Sequence, residues 1–278
     1  MFLFTAMFLL AAHGSPAARA ADCAELPGGD DPAVLELVTS ARVVLLGEIH
    51  GTEQAPGLVG ALACRAAGAG ASTIVALELP PAEQERISRF LASDGGTAAQ
   101  TALLAGELWQ RSYQDGRSSR AMAGLLQTLR PLAQRGGLEV VLFDQQPAQG
   151  SRDEAMARRL AELIPSPLEG PVLVLTGNLH ARVVAGVRWD PELVPMGLHL
   201  MRRRDDLEVV AIDLTSSGGT AWICQPDPDG CGKARLRGRE GAEPGLSLSP
   251  VAEGFAYHGT FGLGSISASP PAVAEPPP

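Results

Sequence analysis

The sequence predicts an α/β protein with an open, mostly parallel sheet covered by helices and an antiparallel hairpin at one edge. Five short apolar runs, at residues 43–46, 74–77, 140–143, 172–175 and 209–212, are continuous rather than alternating. This pattern is typical of strands that are buried on both faces. Segments with helix signals lie between the runs, and a chain that alternates strands with helices forms a parallel sheet.

Helix-start signals justify the elements between the strands. Residues 81–92 begin with proline at a first-turn position and end at Asp94-Gly95-Gly96. Residues 122–132 place apolar side chains at helical spacing, and Ser151 to Glu154 form a capping-box pattern. The long connection from Leu79 to Leu138 is expected to contain several helices.

The C-terminal third contains turn signals. Residues 209–214, a Ser-Ser-Gly-Gly turn and residues 220–224 predict a hairpin at one edge of the sheet. Residues 225–250 are rich in glycine, proline and charge, which predicts a loop. We therefore expect a single domain over residues 21–264 and a disordered, proline-rich tail over residues 265–278.

The N-terminus has the features of a targeting segment. Residues 2–12 are apolar, and Ala18-Arg19-Ala20 fits a small-x-small cleavage site, which predicts a signal peptide over residues 1–20. A weak membrane anchor is the alternative. Export would place the protein in the periplasm or outside the cell, where disulfides form. Cys224 and Cys231 flank a turn-rich segment and are expected to pair, which leaves Cys23 and Cys64 as the remaining pair.

Composition and motifs exclude several classes of function. The net charge of −9 argues against a nucleic-acid partner, because such binding depends on basic residues that neutralise phosphates. After removal of the signal peptide, no apolar run is long enough to span a membrane. The sequence contains no P-loop, no GxSxG elbow and no HExxH motif. The expected partner is a small molecule.

Polar side chains follow the predicted strands. Glu48 and His50 come after the first strand, Glu78 after the second, and His180 after the fourth, while Asp144 follows the third. In an open α/β sheet the carboxyl ends of the strands share the edge where ligands bind. We therefore expect Glu48, His50, Glu78 and His180 to lie within about 10 Å of each other at that edge.

This set of side chains has two chemical uses. His50, His180, Glu48 and Glu78 are suitable ligands for divalent zinc, manganese or iron, and a bound metal would generate hydroxide from water. Without a metal, one imidazole could take a proton from water while a carboxylate orients the ring. The same four residues are the predicted catalytic residues.

Each residue also has a purely structural interpretation. Glu48 and Glu78 could cap the helices that follow them, His50 could be a surface loop residue or a packed core histidine, and His180 could be purely structural. The arginines Arg117 and Arg120 could bind an anion at a helix start or simply form a solvated helix cap. Neither Tyr257 nor His258 lies in a motif that assigns it a role.

The ordered motifs resemble a known superfamily. Gly47-Glu48-Ile49-His50, then Ala76-Leu77-Glu78, then Gly177-Asn178-Leu179-His180 are similar to segments of ChaN, the erythromycin esterases and the Tiki proteases. The resemblance covers residues 42–215 and is greatest to ChaN-like proteins of haem uptake. It implicates Glu48, His50, Glu78 and His180 in function.

Two functions follow from these observations. The first is an exported, metal-dependent hydrolase of an ester or amide, which the His/Glu cleft favours. The second is a non-catalytic haem- or iron-binding protein, which the resemblance to ChaN favours, with His180, His258 or Tyr257 as the axial ligand.

Overall fold

A computed structural model describes residues 23–224, 230–249 and 255–273. The predicted signal peptide and residues 274–278 lie outside the described residues. The fold class is confirmed: a mostly parallel sheet is covered by helices on both faces, and its last strand is antiparallel.

The main sheet has seven strands in the order β3-β2-β4-β1-β5-β9-β8. All neighbours pair in parallel except β8 and β9. The strands are β1 (Val43–Glu48), β2 (Thr73–Leu77), β3 (Leu138–Leu142), β4 (Val172–Gly177), β5 (Val209–Thr215), β8 (Gly245–Leu248) and β9 (Gly259–Gly262). The chain moves outward from β1 to β3 and then returns through β4 to β5, so the carboxyl ends of β1 to β4 meet at one edge.

Helices fill both faces of the sheet because the central strands are apolar on both sides. One face packs against α1 (Pro32–Thr39), α2 (Gln54–Gly68), α3 (Gln84–Ala92), α4 (Thr97–Leu104), α5 (Glu107–Gln110) and α6 (Arg120–Gln134), with a 3₁₀ turn at Pro81–Glu83. The other face packs against α7 (Arg152–Leu163), α8 (Asn178–Ala181) and α9 (Met196–Arg203).

The caps agree with the sequence signals. Ser119 accepts a hydrogen bond from the amide of Met122 at the start of α6, and Ser151 accepts one from the amide of Glu154 at the start of α7. These bonds satisfy amides that a helix leaves without a partner in its first turn. The cap of α7 also fixes where Arg152 and Asp153 emerge.

The predicted pairing between residues 209–214 and 220–224 is wrong. The first segment is β5, an interior strand of the main sheet, whereas β6 (Gly218–Cys224) belongs to a second sheet. That sheet also contains β7 (Cys231–Arg237) and β10 (Ser265–Ile266), in the order β10-β6-β7. Gly218 and Gly219 have φ values of 110° and 139°, which are accessible to glycine and turn the chain out of the main sheet.

The loop predicted at residues 225–250 contains two strands among its described residues, β7 (Cys231–Arg237) and β8. The side chains of β7 alternate between exposed and half-buried, so a polar composition was compatible with a strand. Its partner is β6, and β6–β7 is an antiparallel ribbon with Cys224 opposite Cys231.

Disorder from residue 265 is also wrong, as far as residue 273. Ser265–Ile266 form β10, which pairs in parallel with β6. The Ser269 amide donates to the carbonyl of Gly51 over 2.8 Å, and the Ala272 amide donates to that of Ser118 over 2.9 Å. Backbone groups of distant loops thus bind a segment whose composition alone indicated no partner.

Both expected disulfides are present. Cys224 and Cys231 are bonded with Cα atoms 3.8 Å apart, and Cys23 is bonded to Cys64 in α2. Within the described residues, no helix is long and apolar enough to cross a membrane.

The two disulfides should contribute unequally to stability. The Cys23–Cys64 bond closes 41 residues of chain and the Cys224–Cys231 bond closes 7. Loop-closure entropy predicts losses of about 4 and about 2 kcal/mol respectively when each pair is replaced by serine. Urea unfolding of the Cys23→Ser/Cys64→Ser and Cys224→Ser/Cys231→Ser variants measures both. A larger loss for the short loop would contradict the entropic account.

Candidate active site

The predicted site residues meet at the carboxyl edge of the main sheet. Glu48 is the last residue of β1, Glu78 directly follows β2, and His180 lies in α8, which directly follows β4. His50 Nδ1 lies 2.9 Å from Glu48, while the Nε2 atoms of His50 and His180 lie 3.6 and 3.9 Å from Glu78 Oε1. The expected convergence of these four side chains is confirmed.

The carboxylate of Glu78 is the centre of the cluster. It is buried, and its Oε2 accepts hydrogen bonds from Thr176 Oγ1 at 2.6 Å and from the Gly177 amide at 2.7 Å. Its Oε1 accepts from Arg152 Nη2 at 2.7 Å and from Arg117 Nη1 at 3.3 Å. The end of β4 therefore holds one oxygen, while cationic side chains surround the other.

Asp144 extends this cluster by one strand. It lies buried just past β3, and its two carboxylate oxygens accept from Arg117 Nη1 at 2.6 Å and from Arg152 Nε at 2.9 Å. Asp115 fixes Arg117 from the other side with bonds of 2.6 and 3.1 Å. Both guanidinium groups are thus held in place by carboxylates that are themselves well shielded from water.

His50 is the charged imidazole of the site. Burial by itself would lower its pKa, but the charge of Glu78 and the hydrogen bond to Glu48 outweigh burial and raise the pKa of His50 to about 10. Burial raises the pKa of Glu48. Burial would also raise the pKa of Glu78, but the positive charges of His50 and Arg117 hold it well below its usual value. At neutral pH His50 is therefore an imidazolium between two carboxyl groups.

His180 is the neutral imidazole. Its Nε2 lies 2.8 Å from Arg152 Nη1, and because a guanidinium only donates hydrogen bonds, Nε2 must accept. The proton of the ring is therefore on Nδ1, which donates to Asp153 Oδ1 over 2.8 Å. Asp153 is fixed in turn, since the Met196 amide at the start of α9 donates to the same oxygen over 2.7 Å.

Sequence reasoning missed part of this site. Arg152 and Asp153 were interpreted only as the first turn of a capped helix, yet they contact Glu78 and His180. A signal was present, because a capped helix start that follows a strand lies at the same edge as the other polar groups. For Arg117 the solvated-cap interpretation is wrong, whereas Arg120 is exposed at the start of α6 and is not within the cluster.

The remaining histidine and tyrosine candidates have structural contacts. His258 Nδ1 accepts a hydrogen bond from the Ala211 amide at 3.0 Å, and Tyr257 Oη donates to the carbonyl of Asn178 over 2.7 Å. Burial lowers the pKa of His258 and raises that of Tyr257. Haem ligation by either residue would require loss of these bonds, so haem remains a prediction from the resemblance.

The donor set does not fit a divalent metal in this arrangement. Among the described residues, no three histidine, cysteine, aspartate or glutamate side chains are grouped as metal ligands. Glu78 Oε1 already accepts hydrogen bonds from two guanidinium groups, those of Arg117 and Arg152, and His180 Nε2 faces that of Arg152. A cation there would meet strong repulsion from Arg117 and Arg152.

Glycines let the loops of the site approach closely. A methyl group on Gly177 would lie 3.2 Å from His50 Nε2 and 3.3 Å from His180 Cδ2. Gly116, at a φ of +89°, packs its backbone against Gly51, so that the loop bearing Arg117 touches the loop bearing His50.

Comparison with known proteins shows the fold. No protein-family model matches the sequence, and no curated protein matches it. A solved structure of a mutant of erythromycin esterase EreC, in its open conformation, is similar with a TM-score of 0.54 and 13% identity over 74% of this chain and 78% of that chain. A protein from Bacillus cereus has a TM-score of 0.54 and 10% identity over 87% and 92% of the two chains.

The chain therefore shares the fold of erythromycin esterase. Closeness to ChaN-like members in particular is not supported at these identities.

Gly177→Ala should impair the site and leave the fold intact. The added methyl group would displace both imidazoles by a few tenths of an ångström, because it would be held on the backbone between them. We expect loss of the activity proposed below with a melting temperature close to that of the wild type. Gly57→Ala is the matched control, since its methyl group would meet no atom within 4 Å. Equal activity of the two variants would contradict this geometry.

The raised pKa of His50 should make stability depend on pH. The folded pKa of about 10 exceeds the unfolded value of 6.5, so the stabilisation by protonated His50 is complete below pH 6.5 and is lost as the pH rises through 10. Urea unfolding at several pH values between 6.5 and 10 should show a smaller decrease in the free energy of unfolding for His50→Gln than for the wild type. Identical pH dependence would show that His50 is not buried as a cation.

Proposed function

We propose that this protein is a hydrolase that cleaves an ester or an amide by acid–base catalysis between His50 and His180. The observation that supports the proposal most is the pair of imidazole Nε2 atoms facing one carboxylate oxygen in opposite protonation states. Environments that separate the protonation of two nearby groups are suited to an acid and a base in one reaction.

His180 is the base of the proposed reaction. Its Nε2 lone pair accepts the hydrogen bond from Arg152, and Asp153 at Nδ1 orients the ring and stabilises the imidazolium that forms. A water that replaces Arg152 at Nε2 transfers a proton to His180 while its oxygen bonds to the carbonyl carbon of the substrate. The C=O electrons move to the carbonyl oxygen, and a tetrahedral anion results.

His50 is the acid. Its Nε2–H, like Nε2 of His180, lies close to Glu78 Oε1, and Glu48 holds Nδ1 at 2.9 Å. As the tetrahedral anion collapses, the bond to the leaving oxygen or nitrogen breaks and that atom takes the proton of His50. The products are a carboxylic acid and an alcohol or amine, and the proton on His180 returns to His50 through solvent.

The arginines supply charge for the transition state. Arg152 contacts Glu78, Asp144 and His180 and is about a quarter exposed, so it can turn one N–H toward a substrate oxygen. A fixed positive charge near a developing oxyanion is among the largest contributions to catalysis in enzymes. Glu78 keeps both arginines and both imidazoles in position.

The similarity to erythromycin esterase adds support for an ester as substrate, because that protein is named as an esterase and has the same fold. Metal dependence, predicted from the residue types, is not part of this mechanism because the ligand set does not fit. Haem or iron binding remains the alternative function, as the resemblance to ChaN implies.

Hydrolysis of ethyl acetate by the purified protein, followed by titration of the acid released, tests the proposal, because the ethoxide leaving group needs a proton from the acid. We expect His50→Ala and His180→Ala each to reduce kcat/KM by about two orders of magnitude or more, the usual contribution of a general acid or base. His199→Ala is the control, because His199 lies in α9 outside the cluster. Full activity in either site variant would refute the assigned roles.

The pH profile separates the two roles of His50. If His50 is the acid, kcat/KM falls as the pH rises through about 10, where its proton is lost. A rate that instead rises through this range would make His50 the base.

Two controls address the alternatives. Activity that EDTA abolishes and zinc restores would favour a metal site, and a Soret band on addition of haemin, with no hydrolysis, would favour haem binding.

A further inference from the structure

We propose that a polar cleft beside the catalytic cluster binds a neutral saccharide ring, the glycosyl part of the substrate. The cleft has a volume of about 440 Å³. Its description as part of the substrate site rests on the proposed function, whereas saccharide binding itself does not.

The cleft shares structural elements with the catalytic cluster. Asp213 of β5 pairs in register with Gly47, the residue before Glu48. Arg182 directly follows α8, which contains His180, and Tyr257 binds the carbonyl of Asn178 at the start of α8. A ligand in the cleft would therefore lie next to the catalytic edge of the sheet.

The carboxylate of Asp213 is the main polar group of the cleft. Its side chain is 18% exposed, and its hydrogen-bond donor among the described residues is Arg239, at 3.4 Å. Burial raises the pKa of Asp213, as expected for a carboxylate with few partners. Such a group has unused capacity to accept hydrogen bonds from a ligand.

Hydrogen-bond donors also line the cleft. Arg182 donates through Nη2 to the carbonyl of Gly186 over 2.8 Å, but its buried Nε has no partner in the part of the chain that the structure describes. Thr215 and Thr260 add hydroxyl groups. The lining of the cleft therefore contains both donors and acceptors.

The charges of the lining favour a neutral ligand. Two arginines, Arg182 and Arg239, face two carboxylates, Asp213 and Glu240, so the described lining residues have no net charge. A phosphate or a carboxylate ligand would meet the acidic pair, and a cationic ligand would meet the arginines. A ligand with many hydroxyl groups satisfies both types of side chain.

An exposed aromatic ring completes the cleft. Phe255 lines the cleft and is 51% exposed. Removal of a large apolar side chain from water is favourable, so a ligand that covers this ring would be stabilised. The C–H face of a pyranose ring can cover an aromatic ring while its hydroxyls reach charged groups at the edge. The combination of an apolar face with hydroxyl groups at its edge is typical of a saccharide ring.

Saturation-transfer NMR with the full chain tests this assignment. The probes are methyl α-D-glucopyranoside, methyl β-D-galactopyranoside, methyl α-L-rhamnopyranoside and N-acetylglucosamine, with glucuronate, glucosamine and inorganic phosphate as charged comparators. We expect at least one neutral saccharide to bind more tightly than every charged comparator.

Variants locate the binding. Asp213→Ala should weaken binding about tenfold or more, the effect of losing a hydrogen bond to a charged group. Phe255→Ala should weaken it as well and, because the ring is half exposed, should leave the fold intact even if Asp213→Ala does not. Glu208→Ala is the control, since this exposed carboxylate pairs with Arg42 outside the cleft.

The outcomes are distinct from those of the hydrolysis experiments. No binding by any neutral saccharide, preference for a charged comparator, or binding unaffected by Phe255→Ala would overturn the inference. Saccharide binding without ester hydrolysis would refute the proposed function and leave the cleft assignment standing. Hydrolysis without saccharide binding would do the reverse.

Discussion

The neutralisation of one buried carboxylate determines the arrangement of the site. Glu78 is 3% exposed, and a buried charge without partners is strongly unfavourable. Its oxygens receive hydrogen bonds from the end of β4 and from Arg117 and Arg152, and both imidazoles lie near it. These groups come from four separate segments of the chain, and Glu78 itself comes from a fifth. The same contacts that stabilise Glu78 therefore also bring the proposed acid His50, the proposed base His180 and the cationic groups to one point.

The second sheet supports the loops of this cluster rather than adding to its chemistry. The carbonyl of Gly51, next to His50, accepts hydrogen bonds from the amides of Trp222 in β6 and Ser269 in the C-terminal segment. The indole of Trp222 donates to the carbonyl of Gln114, close to Arg117. The Cys224–Cys231 disulfide joins β6 to β7 beside these contacts. The β6–β7 ribbon and the C-terminal segment thus hold the loop that bears His50 and the loop that bears Arg117 in place relative to each other.

A single short helix connects the catalytic cluster with the neighbouring cleft. In α8, His180 belongs to the cluster, while the carbonyl of Asn178 binds Tyr257 of the cleft. This helix lies directly on β1 because Gly47 has no side chain: a methyl group there would lie 2.9 Å from the Cβ of Ala181. Any displacement of α8 would therefore move both His180 and the wall of the cleft at Tyr257.

The sequence by itself determined the parallel sheet, the main helices and the convergence of Glu48, His50, Glu78 and His180. Continuous apolar runs and strand-end polar residues are local patterns, and the geometry of a parallel sheet aligns the strand ends. The tertiary structure alone decided the partners: Arg152 and Asp153 form a helix cap in sequence terms, and only folding places them on Glu78 and His180. The protonation assigned to His50 and His180 follows from those contacts, as does the poor fit of the donor set to a divalent metal. Local patterns also could not predict the pairing of β6 or the ordered conformation of residues 265–273, because their hydrogen-bond partners lie far away in the chain.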